Sequence, residues 1–439
     1  MANLKTSFGG LSMRNPIGIA PLDPAIAYAR QPRVHADWLL RHVEAGAGYL
    51  YLGGTRLQAS DPKESQPSQK FLKIQCPGFA NRESIHATGD ITSTQFFLEK
   101  ALEIIALVKL ELPEDVPLIA QPNVPGADLE DWARLCRLLE EAGADALELN
   151  FCPLSMAGKE QGTEGSLIDE VGTLEMRTLR DMGLVPGLGE IAEVLPIVIR
   201  ECVQAVNIPI GLKPSAEVGF PRCVALAKLS MEAGAAWVAN VTAGLTVAPP
   251  DICRGGRSPW EKVGLDINPF AGTCGPTNRY HCRKTTATIA KFVPEVDIMA
   301  IGGLVNPEHV VEMLMLGAKT VGLSSGFFWK GRALLRNSLT FLSRFLDENG
   351  YESVQEIVGM GLQYIQPVDD NTDWKVGQIS ARVDAAKCNG CGICTDSFCP
   401  VPVTRSDGYP WIDETKCQAC GMCVATCPSE AISIERIAT

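Results

Sequence analysis

Residues 131–151 read DWARLCRLLEEAGADALELNF: an amphipathic helix, a Gly–Ala break, then a short apolar run. Glycine after a helix supplies the C-cap, so the stretch predicts helix, turn and strand in that order. The unit recurs in CVALAKLSMEAGAA (223–236) before WVANVTA (237–243), and in EHVVEMLMLGAK (308–319) before TVGLSS (320–325). Further strand candidates are PIGIAP (16–21), YLYLGG (49–54), PLIAQPN (117–123), ALELNF (146–151), IPIGLKP (208–214) and DIMAIGG (297–303). Each is a continuous buried-type run rather than an alternation, as expected of parallel strands covered on both faces. Eight such strands predict an α/β fold, a (β/α)8 TIM barrel with insertions, over residues 1–349. A doubly wound sheet is the competing architecture, but no G-x-G-x-x-G follows a strand.

The tail has a different texture. Eight of the sixteen cysteines fall in two runs, CNGCGICTDSFCP (388–400) and CQACGMCVATCP (417–428). The second has the C-x2-C-x2-C-x3-C-P spacing of bacterial ferredoxins, in which the fourth cysteine ligates the neighbouring cluster. The first repeats it with one extra residue before Cys399. The spacing therefore assigns Cys388, Cys391, Cys394 and Cys427 to one [4Fe–4S] cluster and Cys417, Cys420, Cys423 and Cys399 to another. Zinc needs only two cysteine pairs and leaves the third cysteine and the Cys-Pro unexplained. Residues 381–439 are expected to form a bacterial-type 2[4Fe-4S] ferredoxin domain, and 350–380 a linker or docking segment.

Composition narrows the class. The chain has 439 residues, 46% of them hydrophobic, and a formal net charge of -12, which argues against a general nucleic-acid binder. No run approaches a membrane span and no secretory signal is evident, so a soluble cytoplasmic protein is expected. In a reducing cytosol the eight cysteines outside the tail, Cys76 to Cys282, stay thiols, most of them as core residues.

Barrel enzymes place their chemistry at strand C-termini. Those ends are Ala20-Pro21, Gly53-Gly54-Thr55, Gln121, Asn123, Asn150, Cys152, Lys213, Asn240, Thr242, Gly302-Gly303 and Ser324-Ser325-Gly326. Glycine-bearing ends on the last two strands suit a phosphate held by backbone N–H groups. Lys213 closes an apolar strand and predicts an anionic ligand. A phosphate, a lysine and iron–sulfur clusters together suggest flavin mononucleotide, which converts single electrons into hydride.

On these residues the chain resembles the dihydroorotate dehydrogenase/dihydropyrimidine dehydrogenase family, nearest to the FMN and iron–sulfur subunits of its bacterial NAD-dependent members. The motifs are EAGADALELNFCP, IGLKPSAEVG, VANVTAGL, AIGG, LSSG and the eight closing cysteines. The resemblance implies that Lys213 lies at the flavin ring, with Ala20 and Gln121 near it. It implies a phosphate cradle of Gly275, Gly302, Gly303, Ser324 and Ser325. Asn150, Asn240, Asn123 and the neighbouring Thr242 would meet the ring amides of a small cyclic substrate, and Cys152 would be the acid/base. An FAD/NAD(P)H subunit or a ferredoxin would be the electron donor, in a homodimer or hetero-oligomer.

The chain departs from the family where Asn-x-Ser-Cys-Pro becomes Asn150-Phe151-Cys152-Pro153, and where Leu52 or Gly53 replaces a second-strand lysine. An electron-transfer subunit without its own catalysis is therefore the alternative. The segment 55–94 and the loop after Cys152 are expected over the barrel mouth, and His86 and His281 in loops.

Overall fold

The computed structural model describes residues 2–21, 31–57, 71–75, 85–90, 96–124, 126, 128–151, 174, 178, 182, 188–215, 218–240, 244–247, 250–258, 261, 270–366, 379–396, 399–404 and 408–436. The chain divides into two compact units, Met1–Ile365 and Gln366–Thr439.

In the first unit the eight predicted runs are eight strands: β1 Ile17–Ile19, β2 Leu50–Thr55, β3 Leu118–Pro122, β4 Ala146–Asn150, β5 Ile210–Lys213, β6 Trp237–Ala239, β7 Asp297–Ile301 and β8 Thr320–Leu323. They pair in parallel in the order β1-β8-β7-β6-β5-β4-β3-β2. A backbone bond of 2.7 Å from Gly48 N–H to the Ile17 carbonyl bridges the remaining seam beside β1 and β2. The sheet is thus a nearly closed TIM-type barrel, and the doubly wound alternative falls.

A helix follows each strand: α1 Pro32–Glu44, α2 Leu98–Lys109, α3 Leu129–Glu141, α4 Leu195–Ala205, α5 Arg222–Glu232, α6 Asn278–Phe292 and α7 Pro307–Met315, with α8 Gly326–Lys330 and α9 Ala333–Glu348 after β8. In α3, Trp132, Leu135, Cys136 and Leu139 are buried, one face at helical spacing, and the Asp128 carboxylate caps the Asp131 N–H at 2.9 Å.

Aromatic rings fill the barrel interior, and missing side chains make room for them. Trp237 lies beside Gly211 across the β5–β6 ladder; a Cβ at Gly211 would stand 1.9 Å from the indole. A Cβ at Gly18 would likewise stand 2.6 Å from the Tyr49 ring. The hairpin Thr6–Phe8/Leu11–Met13 closes the N-terminal end, with Phe8 5.3 Å from Trp237 between ring centroids.

The insertions after β2 and β6 combine. Phe71–Gln75, Ile85–Asp90, Phe270–Cys274 and Gly244–Val247 form one four-stranded antiparallel sheet. His86 is therefore in a strand and His281 in helix α6, not in loops. Residues 350–365, expected as linker, pack with the barrel: Val354 and Ile357 are buried, and Val354 N–H bonds the Asn3 carbonyl. Cys136, Cys202, Cys223 and Cys282 are buried thiols, whereas Cys253 is exposed. No described helix is long and apolar enough to cross a membrane.

The second unit has two short antiparallel ladders, Ile379–Val383 with Ile432–Arg436 and Pro402–Thr404 with Pro410–Ile412, and helix α10, Met422–Thr426.

Candidate functional site

At the ends of β3, β4 and β5 the structure brings Gln121, Asn123, Asn150 and Lys213 together. Asn150 pairs in register with Lys213. Gln121 Oε1 accepts from Asn150 Nδ2 at 3.4 Å, and the Asn150 carbonyl accepts from Asn123 Nδ2 at 3.4 Å. Lys213 is 7% exposed and has no ion-pair or side-chain hydrogen-bond partner among the described residues. A buried ammonium without a counter-charge is costly, so the position suits an anionic ligand.

Beneath these groups lies Glu148, which the sequence reading missed. Its carboxylate is fully buried and accepts from Gln121 Nε2 at 2.7 Å, Tyr51 Oη at 2.6 Å and Trp237 Nε1 at 3.2 Å. Burial, then the Glu148 charge, push the Tyr51 phenol well above its ordinary pKa, which keeps it a donor. The signal was legible: the reasoning that singled out Lys213, a charge in an apolar strand, extends to Glu148 in the middle of ALELN.

At the ends of β7, β8 and β1 the arrangement is backbone. Among the described residues the N–H groups of Gly302, Gly303, Ser324 and Ser325 have no acceptor. Gly303 and Ser325 are buried, and unpaired buried N–H groups are rare in folded proteins. Gly303 has φ +70°, and a Cβ there would stand 2.3 Å from the Arg279 nitrogen and 2.9 Å from the Gly275 carbonyl. Ala20 closes the row, its N–H bonding the Leu323 carbonyl at 2.8 Å. Unpaired donors around a floor that admits no side chain fit a phosphate.

Asn240 is directed elsewhere. Its Nδ2 donates to the Cys282 carbonyl at 3.1 Å and to Thr286 Oγ1, while its Oδ1 accepts from Ile301 N–H at 3.0 Å. This amide ties β6 to α6 and β7. Burial pushes the adjoining Cys282 thiol up to about 12, so it is a packing thiol. Cys152 and Thr242 lie outside the described residues.

In the second unit, Cys388, Cys391, Cys394 and Cys427 line one pocket. Cys417, Cys420 and Cys423 gather separately: burial, then the charges of Cys417 and Cys420, push the Cys423 thiol up. Cys399 is half-buried before Pro400. No three described His, Cys, Asp or Glu side chains converge closely enough to clasp a single metal ion. Each run is entered by the same turn. Asp384 Oδ1 accepts from Ala386 N–H at 2.9 Å and Asp413 Oδ1 from Thr415 N–H at 3.0 Å. In both, the aspartate carbonyl accepts from the first cysteine's N–H, at 3.0 Å. Donors also reach sulfur: Cys417 Sγ accepts from Ala381 and Ala419 N–H at 3.4 and 3.3 Å, and Cys427 Sγ from Ala431 N–H at 3.2 Å.

Residues 410–433 match the 4Fe-4S binding domain family. Over 326 residues the chain is 25% identical to the NAD-dependent dihydropyrimidine dehydrogenase subunit PreA of Escherichia coli (strain K12), spanning 72% of this chain and 68% of that one. The resemblance read from the motifs stands. Over 338 residues the chain is 23% identical to the catalytic subunit of dihydroorotate dehydrogenase B (NAD(+)) of Methanothermobacter thermautotrophicus, spanning 75% of this chain and 94% of that one. A third relative is the corresponding subunit of Thermoplasma acidophilum, 24% identical over 250 residues, 55% of this chain and 68% of that one. The chain is similar to dehydrogenases over much of its length and carries a 4Fe-4S binding domain match near its end.

Proposed function

We propose that this chain reduces, or reversibly oxidises, an activated C=C bond of a small cyclic substrate, with electrons relayed from a partner through two [4Fe–4S] clusters to FMN. The observation that carries the reading is the row of backbone N–H groups at Gly302, Gly303, Ser324 and Ser325 that have no acceptor among the described residues, with buried Lys213 in the same barrel mouth. These residues would hold the flavin, phosphate on the backbone cradle and ring against Lys213, Gln121 and Ala20. FMN held there would supply hydride chemistry, directed at one carbon of the conjugated bond. Cys152 Sγ donates the proton to the adjacent carbon and is reprotonated from solvent. A thiol with an ordinary pKa near 8.5 is mostly protonated at neutral pH and suits that task. Asn150 and Asn123 orient the substrate ring by its amides. Lys213 offsets negative charge that accumulates at the ring on reduction.

Cys388, Cys391, Cys394 and Cys427 would hold one cluster, and Cys417, Cys420, Cys423 and Cys399 the other. The donor would be a separate FAD/NAD(P)H subunit or a ferredoxin, in keeping with a relative that is named a subunit.

A second reading, a flavin and iron–sulfur relay subunit without its own catalysis, is favoured by Asn150-Phe151-Cys152-Pro153 standing where the family has one more residue. Anaerobic preparation with iron and flavin assays tests the common ground; about eight irons and one FMN per chain are expected. Absence of both would sink either reading. Cys152→Ala separates them: the enzyme loses C=C reduction while still accepting electrons onto flavin, whereas the relay is unaffected in both.

A further inference from the structure

We propose that Glu148 is a positioning residue that fixes the donor–acceptor polarity of the barrel mouth, holding Gln121, and through it Asn150, in the orientation that a cyclic imide edge requires. The inference rests on the flavin reading above and adds a residue to it.

A carboxylate that receives three hydrogen bonds acts only as an acceptor. Glu148 Oε1 therefore requires the nitrogen end of the Gln121 carboxamide, and the 2.7 Å contact is Nε2–H to Oε1. That leaves the Gln121 oxygen facing Asn150, whose Nδ2 donates to it. An isolated carboxamide can turn over and exchange its donor and acceptor ends, because the two are almost the same shape. Here neither amide can turn without setting oxygen against oxygen in a buried site. The other carboxylate oxygen is anchored independently by Tyr51 and Trp237, and Gly211 gives the indole its place.

The polarity matters because the pyrimidine edge of isoalloxazine alternates carbonyl acceptors with one N–H donor, as a cyclic imide substrate does. A reader of such an edge loses most of its affinity if its own donors and acceptors exchange. Glu148 touches neither ligand in this scheme and works through Gln121.

Glu148→Gln tests it. The new carboxamide keeps its oxygen toward Tyr51 and Trp237 and offers nitrogen to Gln121. Gln121 must then turn, and Asn150 after it, so the bonds re-form with polarity reversed. The measurements are FMN affinity of the apo chain by flavin fluorescence and its thermal midpoint without flavin. Expected are FMN binding weaker by about tenfold or more and a nearly unchanged apo midpoint. In a Gln121→Ala background the same change should weaken FMN no further, since the two residues act as one unit.

FMN binding by Glu148→Gln within about twofold of the parent, or independent losses that multiply, would overturn the proposal. Tyr51→Phe guards against a misfolded variant. It removes a donor from the far oxygen without altering Gln121, and should leave FMN affinity within about twofold. A loss as large as that expected for Glu148→Gln would make the carboxylate a packing device and reject the inference. A parent chain that binds no FMN at all rejects the flavin reading itself, and this inference with it, before any variant is compared.

Discussion

The barrel and the cysteine-rich unit are held together by opposite means. The barrel has a contiguous apolar core that includes Trp132, Trp237, Tyr49 and Tyr51, all of them buried. The described buried core of the second unit is Ala381, Cys394, Ile412 and Ile432. Two-stranded ladders are marginal in water by themselves, and so small a core cannot offset the chain entropy of ordering the unit. The first unit can fold before its ligand arrives. The second is expected to fold around its ligand, so its binding free energy is its folding free energy.

Cluster removal is the most severe test of that contrast. Stripping iron with a chelator should abolish amide protection across 379–436 while strands β1–β8 keep theirs, read by hydrogen exchange. Equal loss in both units would dissolve the distinction. Next in size is Gly211→Ala, which sets a methyl 1.9 Å from the Trp237 ring. Overpacking of this kind costs about 3 kcal/mol, so the barrel's unfolding transition should move to lower denaturant while iron content of the second unit is unchanged.

Acid sensitivity confined to the barrel is the most gradual effect, small near neutrality and growing as the pH falls. Burial holds His35 and His42 down to a pKa of about 4 each. Among the described residues neither ring nitrogen of His35 has a hydrogen-bond partner, and its ring packs against Trp38 and Phe96. An unfolded chain protonates these histidines near pH 6.5, so between pH 6.5 and 4 the unfolded state binds more protons. Barrel stability should be level above pH 6.5 and fall by about 1.4 kcal/mol per pH unit per histidine as the pH drops toward 4. Denaturant titrations across that window, with His35→Leu flattening part of the slope, check it.

The strands of the barrel were readable because buried parallel strands announce themselves as uninterrupted apolar runs, and Gly143, Gly234 and Gly317 mark the helix ends at positive φ. The cysteine runs were readable for a related reason: ligand spacing is a local property. The four-stranded sheet was not, since Ile85–Asp90 pairs with Phe270–Cys274 from a distant part of the chain and neither segment has a pattern of its own. Asn240 shows the same gap at one residue. Its place at the end of β6 follows from sequence, but its turn toward Cys282 and Thr286 follows from where α6 packs.

By itself the sequence determined the periodicities: eight apolar runs separated by capped helices, and two cysteine repeats with cluster spacing. Those are set by residues within a few positions of one another. Tertiary structure alone decided that Glu148 lies under Gln121, that Gly211 yields its space to Trp237, and that the N–H groups of Gly302, Gly303, Ser324 and Ser325 find no acceptor among the described residues. Each joins residues far apart in the chain, and no local preference specifies which distant side chain will share a buried site.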